Sequence, residues 1–229
     1  MRIACIIWLS MAALLRAGFE FPQVLKEVDA AADVKNLTVD FEFANRSDKP
    51  VNIAKYETTC SCISVMVKDG KLRYAPGESG LIRAEFDMGN FSGTVDKVVA
   101  LWIDDDPADK PSVNLTVRVH IPVLVVLEPK TVKWELNGNA EPQTIHIKMN
   151  HEKPIRVISV KSSTEAFRYE IKMIEEGKSY DLKVTPMELK TPGLAVFRIE
   201  TDCELEKHRV QQAFATVHKP SVRNATPKP

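Results

Sequence analysis

The chain has 229 residues, with 31 basic and 31 acidic side chains and a formal net charge of zero. That balance, without any basic stripe along the chain, argues against a general electrostatic attraction to nucleic acid. Four cysteines in this length exclude a disulfide-dense scaffold.

Arg2 and the apolar run from Ile3 to Leu15 come first, ending near the small residues Ala17 and Gly18. The run is short for a bilayer span, and its layout predicts a secretory signal peptide over residues 1–18. Removal of that segment would leave about 210 residues, enough for two modest domains. It would also leave three cysteines, Cys60, Cys62 and Cys203, an odd number. The apolar stretch Val123–Leu127 is only strand-sized and has prolines on either side. The expectation is an exported protein, periplasmic or extracellular, that is not integral to a membrane after cleavage.

Val24 to Ala32 reads as a short helix or a disordered lead-in. Leu37, Val39, Phe41 and Phe43 alternate with polar residues and predict a half-buried strand. A polar turn, 45–50, follows, and Val51 and Ile53 restart the alternation shortly before Cys60 and Cys62. The turn 75–80 leads into a strand with Ile82, Ala84 and Phe86 on one face. After a break at 89–93, Val95 to Ile103 reads as a more fully buried strand that Asp104-Asp105-Asp106-Pro107 stops. Val113 to Ile121 closes the unit. Short strands at this spacing predict an all-β sandwich over residues 35–122.

A second unit is expected over 127–219. Val132, Trp134 and Leu136 alternate as its first strand, and Phe167, Tyr169, Ile171 and Met173 form another one-faced strand. Tyr180–Val184, Leu194–Ile199 and Val210–Val217 complete it, and residues 220–229 read as a disordered tail. The two units read as copies. At an offset of 104, Phe41-Glu42-Phe43 falls on Ile145-His146-Ile147, and Lys49-Pro50-Val51 on Lys153-Pro154-Ile155. The same offset sets Thr164 opposite Cys60 and Ala166 opposite Cys62. Farther on, Gly80-Leu81-Ile82 is matched to Gly193-Leu194-Ala195, with extra residues assigned to the second copy.

Several motifs then occur in order: Phe41-x-Phe43-x-Asn45, Pro50-Val51-x-Ile53, Thr59-Cys60-Ser61-Cys62, Pro76-Gly77-Glu78-Ser79-Gly80, Phe86 and Gly93. Together they resemble a bacterial domain-of-unknown-function family, number 1573, over about residues 35 to 121. That family's pattern is similar to an aromatic strand ending in Asn, a Ser-Cys-Gly-Cys-Thr segment and a Pro-Gly-Glu turn. This chain departs from it at Thr59, Ser61 and Ile63. The resemblance implies an immunoglobulin-like sandwich on an exported protein, hence two tandem sandwiches here, and implies no established reaction.

Cys60 and Cys62 are the candidate site. In an extended strand, residues two apart share a face with Cα atoms about 6.6 Å apart, the upper edge of the roughly 4.4–6.8 Å seen for disulfides. A bond between them would need a kink. Three readings stay open: a structural pair (local disulfide or packed thiols), a soft-metal or redox site with copper as the fitting ion, or attachment through a mixed disulfide. Zinc lacks the further ligands of a closed site. Cys203 reads as a lone strand-end thiol, and His120, His146, His151, His208 and His218 as dispersed surface groups. Asp104, Asp105, Asp106 and Asp109 lack the glycine and closing glutamate of a calcium loop and read as a solvated turn. No hydrolase elbow, phosphate loop or dinucleotide fingerprint is present. The expected function is therefore a non-catalytic, exported binding or scaffold module that meets an envelope protein or surface polymer. The alternative is a thiol-redox or copper-handling protein that uses Cys60 and Cys62.

Overall fold

The computed structural model of the chain describes residues 14–16, 18–89 and 91–219. Most of the expected signal peptide and the expected tail, 220–229, lie outside the described residues. The chain divides into two compact units, Met1–Pro122 and Val123–Pro229. Among the described residues, no helix is long and apolar enough to cross a membrane.

The first unit runs β1 (Leu14–Arg16), β2 (Phe19–Phe21), β3 (Leu25–Asp29), β4 (Asn36–Asn45), β5 (Val51–Thr58) and β6 (Ile63–Val67). A short 3-10 turn, Lys68–Gly70, then leads to β7 (Arg73–Tyr74), β8 (Ser79–Asp87), β9 (Gly93–Ile103) and β10 (Val113–Ile121). One sheet has the order β1-β2-β4-β8-β6 and the other β3-β10-β9-β5-β7.

The second unit comprises β11 (Val125–Glu128), β12 (Thr131–Glu135), β13 (Gln143–Met149), β14 (Val157–Ser162), β15 (Phe167–Glu175), β16 (Ser179–Pro186), β17 (Gly193–Thr201) and β18 (Val210–His218). Its sheets are β11-β13-β16-β15 and β12-β18-β17-β14. The repeat is thus complete at the level of topology. Apart from β1, which extends the first sheet of the first unit, each unit opens with two short strands, one for each sheet: β2 and β3, and β11 and β12. The second of them pairs in parallel with the unit's last strand, β3 with β10 and β12 with β18. This is the split of an immunoglobulin-like sandwich, with its first, second, fourth and fifth strands in one sheet and its third, sixth and seventh in the other.

The period-two pattern is what builds these layers. In β10 the buried residues Val113, Leu115, Val117, Val119 and Ile121 alternate with more exposed polar ones. Each fully buried large aliphatic or aromatic side chain stabilises the fold by about 1.5–3 kcal/mol relative to exposure. Four rings, Phe19, Phe21, Phe43 and Tyr74, meet edge-on or stacked, with centroids 4.8 to 5.7 Å apart. Gly80 lies against this cluster, where a Cβ would collide with the Phe43 and Tyr74 rings.

Asn45 explains why an aromatic strand ending in Asn travels with a Pro-Gly-Glu turn. It is fully buried. Its Nδ2 donates to the carbonyls of Lys49 (2.8 Å) and Tyr74 (2.9 Å), and its Oδ1 accepts from the Ser47 amide (2.9 Å). The Gly77 amide donates to its carbonyl at 2.8 Å. Gly77 has φ of 78°, a left-handed conformation that glycine adopts without a Cβ penalty. The Glu78 carboxylate closes the turn by accepting from the Ala75 amide at 2.9 Å.

Three expectations need correction. Leu25–Asp29 is a strand, neither helix nor lead-in, and Phe19 and Phe21 belong to the core of the first sandwich ahead of residue 35. These segments are too short for periodicity to identify, and tertiary pairing with β4 and β10 determines them. The match of Gly80 to Gly193 is also wrong. Gly80 lies in β8 opposite Phe43, and the corresponding place in the second unit is Tyr180, opposite Ile147. The extra residues belong to the first copy, which inserts the 3-10 turn and β7 between β6 and β8. Finally, the one-faced strand from Phe167 to Met173 is real but mostly uncovered, with only Phe167 buried.

Candidate functional site

The cysteines occupy the turn between β5 and β6. The Thr59 amide donates to the Val98 carbonyl of β9 (3.3 Å), and the Asp87 amide at the end of β8 donates to the Cys62 carbonyl (2.9 Å). Thr58 Oγ1 donates to the Cys60 carbonyl at 3.0 Å. The chain therefore turns here, and the Cα atoms of Cys60 and Cys62 are 5.2 Å apart and bridged by a disulfide. Both residues are partly buried at the edge of the core.

Lys97 faces this bridge. It projects from β9 on the inward face shared with Val99, Leu101 and Ile103 and is only 6% exposed. Its Nζ lies 3.3 Å from Cys62 Sγ and 3.8 Å from Cys60 Sγ. On another side, Nζ stands 3.6 Å from the centroid of the Phe91 ring. Among the described residues no carboxylate pairs with it. Burial pushes its pKa below the usual lysine value, because removing an ammonium from water disfavours its charged form. The aromatic face offsets part of that cost.

Sequence reasoning found the cysteines and missed the lysine. Its signal was a charged residue at an inward position in the run Val95, Lys97, Val99, Leu101, Ile103. Phe91 lay within what read as a break and carried no such signal.

This geometry accommodates chemistry on sulfur better than it accommodates a metal. A soft cation would need both sulfurs as ligands, and here a buried ammonium stands against them. Copper therefore fits poorly. Among the described residues, no group of three or more His, Cys, Asp or Glu side chains gathers as a metal site.

The other singled-out residues lie elsewhere. Cys203 is a buried free thiol in the second unit, just past β17. In the acidic turn, Asp106 accepts from the Ile103 amide (2.7 Å) and Asp104 from the Asn52 amide (2.9 Å), so both carboxylates hold the backbone. His146 pairs with Asp181 at 2.7 Å on an exposed strand face, and His120 contacts Thr94 Oγ1 at 3.1 Å. A shallow depression of about 430 Å³ beside β4 and β8 includes neither cysteine nor Lys97.

The same turn recurs in the second unit without the chemistry. The Ser163 amide donates to the Val196 carbonyl (3.0 Å), and the Met187 amide donates to the Ala166 carbonyl (2.9 Å). Ser162 Oγ donates to the Thr164 carbonyl at 2.7 Å. These bonds place Thr164 where Cys60 stands and Ala166 where Cys62 stands. The residue in the place of Lys97 is Ala195, since Thr58 faces Val99 and Ser162 faces Phe197. Thr164 Oγ1 accepts from the Ala166 amide at 3.2 Å, a hydrogen bond that spans the same two positions as the disulfide.

Comparison with known proteins adds the following. The chain resembles a protein of unknown function from Porphyromonas gingivalis W83 at 13% identity, over 87% of this chain and 99% of that one, with a TM-score of 0.35. It resembles the YadV chaperone at 10% identity over 83% and 96% (TM-score 0.30). It also resembles the secreted serine protease VesC from Vibrio cholerae at 8% identity over 87% and 50% (TM-score 0.37). Likenesses this distant add nothing to the topology already described. No curated protein matches the chain. The family model described as a protein of unknown function, DUF1573, matches residues 19–120. That match spans the first sandwich with its cysteine turn, and this unit is what the chain shares with the DUF1573 family model.

Proposed function

We propose that this protein is an exported, non-catalytic binding module of the bacterial cell envelope, and that it engages another envelope protein by strand addition. The observation that carries this reading is β15. It is nine residues long, ends its sheet and, among the described residues, pairs only with β16. Tyr169, Ile171, Met173 and Ile174 are exposed along it, Met173 at 57%. A long, apolar sheet edge is a template for a further strand, with backbone groups supplying affinity and alternate side chains supplying selectivity. The first unit handles the equivalent edge differently. There β6 stops after five residues, and the chain crosses to the other sheet as β7. The apolar leader at the N-terminus supports the envelope location.

The test is a photo-crosslinking residue at position 172 in the full chain, activated in the bacterial envelope. A cross-linked envelope protein, joined through an extended segment and lost with Ile171→Lys, is the expected result. Products that persist with Ile171→Lys, or that contain only two copies of this chain, would overturn it.

A further inference from the structure

The bridge between Cys60 and Cys62 is flanked by a buried cation that the sandwich itself does not require. The second unit folds the same turn with Thr164, Ala166 and Ala195 in the three places, and spans it with a hydrogen bond. Burying an ammonium without a carboxylate is unfavourable, so its placement against sulfur calls for a reason. Reduced sulfur supplies one. A thiolate at Cys62 would lie within charge-assisted contact of Lys97 Nζ, at the 3.3 Å now seen.

We propose that Cys60, Cys62 and Lys97 form a thiol–disulfide exchange site that accepts two electrons from a dithiol. The distances set the order of events. An incoming thiolate attacks Cys60 Sγ and forms a mixed disulfide with it. The bond between Cys60 and Cys62 breaks, and its electron pair leaves on Cys62 Sγ, the sulfur nearer to the ammonium. A sulfur whose thiolate is stabilised is the better leaving group. The second thiolate of the dithiol then attacks the dithiol sulfur of the mixed disulfide and expels Cys60, which takes up a proton. The dithiol has become a disulfide and lost two electrons, and this chain holds a Cys60 thiol and a Cys62 thiolate. Of the two protons the dithiol gave up, one is now on Cys60 and the other has gone to solvent. Stabilising the reduced form makes such a bridge oxidising. The reaction is stoichiometric and is independent of strand addition at β15.

The experiment uses the full chain and the variants Lys97→Met and Lys97→Arg. Each is reduced, and alkylation of Cys62 by iodoacetamide is followed against pH by peptide mass spectrometry. Each oxidised chain is also equilibrated with glutathione in one arm and with a reduced Cys-x-x-Cys peptide in the other, which separates a small thiol from a protein dithiol as the electron source. Cys62 is expected to react below the usual thiol range. Lys97→Met should raise that midpoint and shift the exchange equilibrium about tenfold toward the oxidised form, as thiolate-stabilising cations do elsewhere, and Lys97→Arg should restore both. Preferential exchange with the peptide assigns a protein dithiol, and preferential exchange with glutathione a small thiol. Phe91→Leu, at an exposed ring, provides a variant that leaves the sulfurs and the lysine in place, with a smaller shift in the same direction. A Cys62 profile unchanged by Lys97→Met and Phe91→Leu, or a bridge that neither thiol opens in the folded chain, would overturn the proposal.

Discussion

The two sandwiches share eight strands in the same order, yet they solve two local problems differently. At the end of the aromatic strand, the first unit places Asn45 and ties two turns to it, and the second unit places Met149. The strand-entry bond is kept: the Asn45 amide donates to the Glu78 carbonyl and the Met149 amide to the Lys178 carbonyl, both at 2.8 Å. At the turn between β5 and β6, the first unit has two sulfurs and an ammonium where the second has Thr164, Ala166 and Ala195. The lesson is that the fold fixes the backbone bonds and leaves the side chains at these positions free to take on chemistry. Three positions that differ together, and touch in one unit, belong to one device.

The largest way to break the comparison is to give the first unit the second unit's residue at the strand end. Asn45→Met leaves the Lys49 and Tyr74 carbonyls and the Ser47 amide without their buried partner. Unsatisfied buried groups cost about 1–3 kcal/mol each, and the expected loss is about 3 kcal/mol. Hydrogen exchange of β4 and β8 measures it, and a change under about 0.5 kcal/mol would mean that the turns do not depend on Asn45.

Next in size is Cys60→Thr with Cys62→Ala. A bridge over so short a loop restrains the unfolded chain by only about 1–2 kcal/mol, and the Thr hydroxyl is expected to recover part of that through the hydrogen bond seen in the second unit. Adding Lys97→Ala should make the triple variant more stable than the double by about 1 kcal/mol, because the unpaired ammonium is gone. Urea unfolding compares the three chains, and a less stable triple variant would show that Lys97 is needed for packing rather than for sulfur.

The reverse graft, Thr164→Cys with Ala166→Cys, sharpens the point. The turn there already has the right backbone bonds, so a second bridge should form in air. Lacking a lysine, it should open several-fold more slowly with dithiothreitol than the native one. Equal rates, followed by thiol-specific mass labelling, would remove Lys97 from the account.

The smallest effect is a pH dependence of the oxidised chain. Burial holds the Lys97 pKa in the folded state below its ordinary value of 10.5. Between those two values the unfolded chain binds more protons than the folded one, so stability rises with pH there. The destabilisation is complete below the folded pKa and fades as pH approaches 10.5. Lys97→Met should lack this rise, and urea midpoints for the two chains at neutral and alkaline pH read the difference.

Much of the architecture was legible because alternation is a strong signal in long strands such as β4, β9 and β10. The offset of 104 even carried the cysteine turn correctly, since Thr59 and Ser163 donate the same bond in both units. It failed beyond β6, where the first copy inserts β7, a two-residue strand that no periodicity can reveal. The strand β3 was lost for a similar reason: its alternation is weak and its parallel partner is more than eighty residues away in sequence. Of the candidate site, the sulfurs were visible as a motif. Lys97 was hidden inside an apolar run, where one lysine at an inward position reads as noise until the opposite layer shows what it faces.

The brevity of the bridge has a mechanical consequence. Two residues of extended chain reach about 6.6 Å, and the bridged Cα atoms are 5.2 Å apart. Opening the bond therefore lengthens the chain by little more than an ångström. A sandwich pulled from its ends would register almost no extension from the event, and its outline would stay the same. Whatever such a bond records is written as local charge beside Phe91, where a lone ammonium becomes half of an ion pair, and is invisible to force.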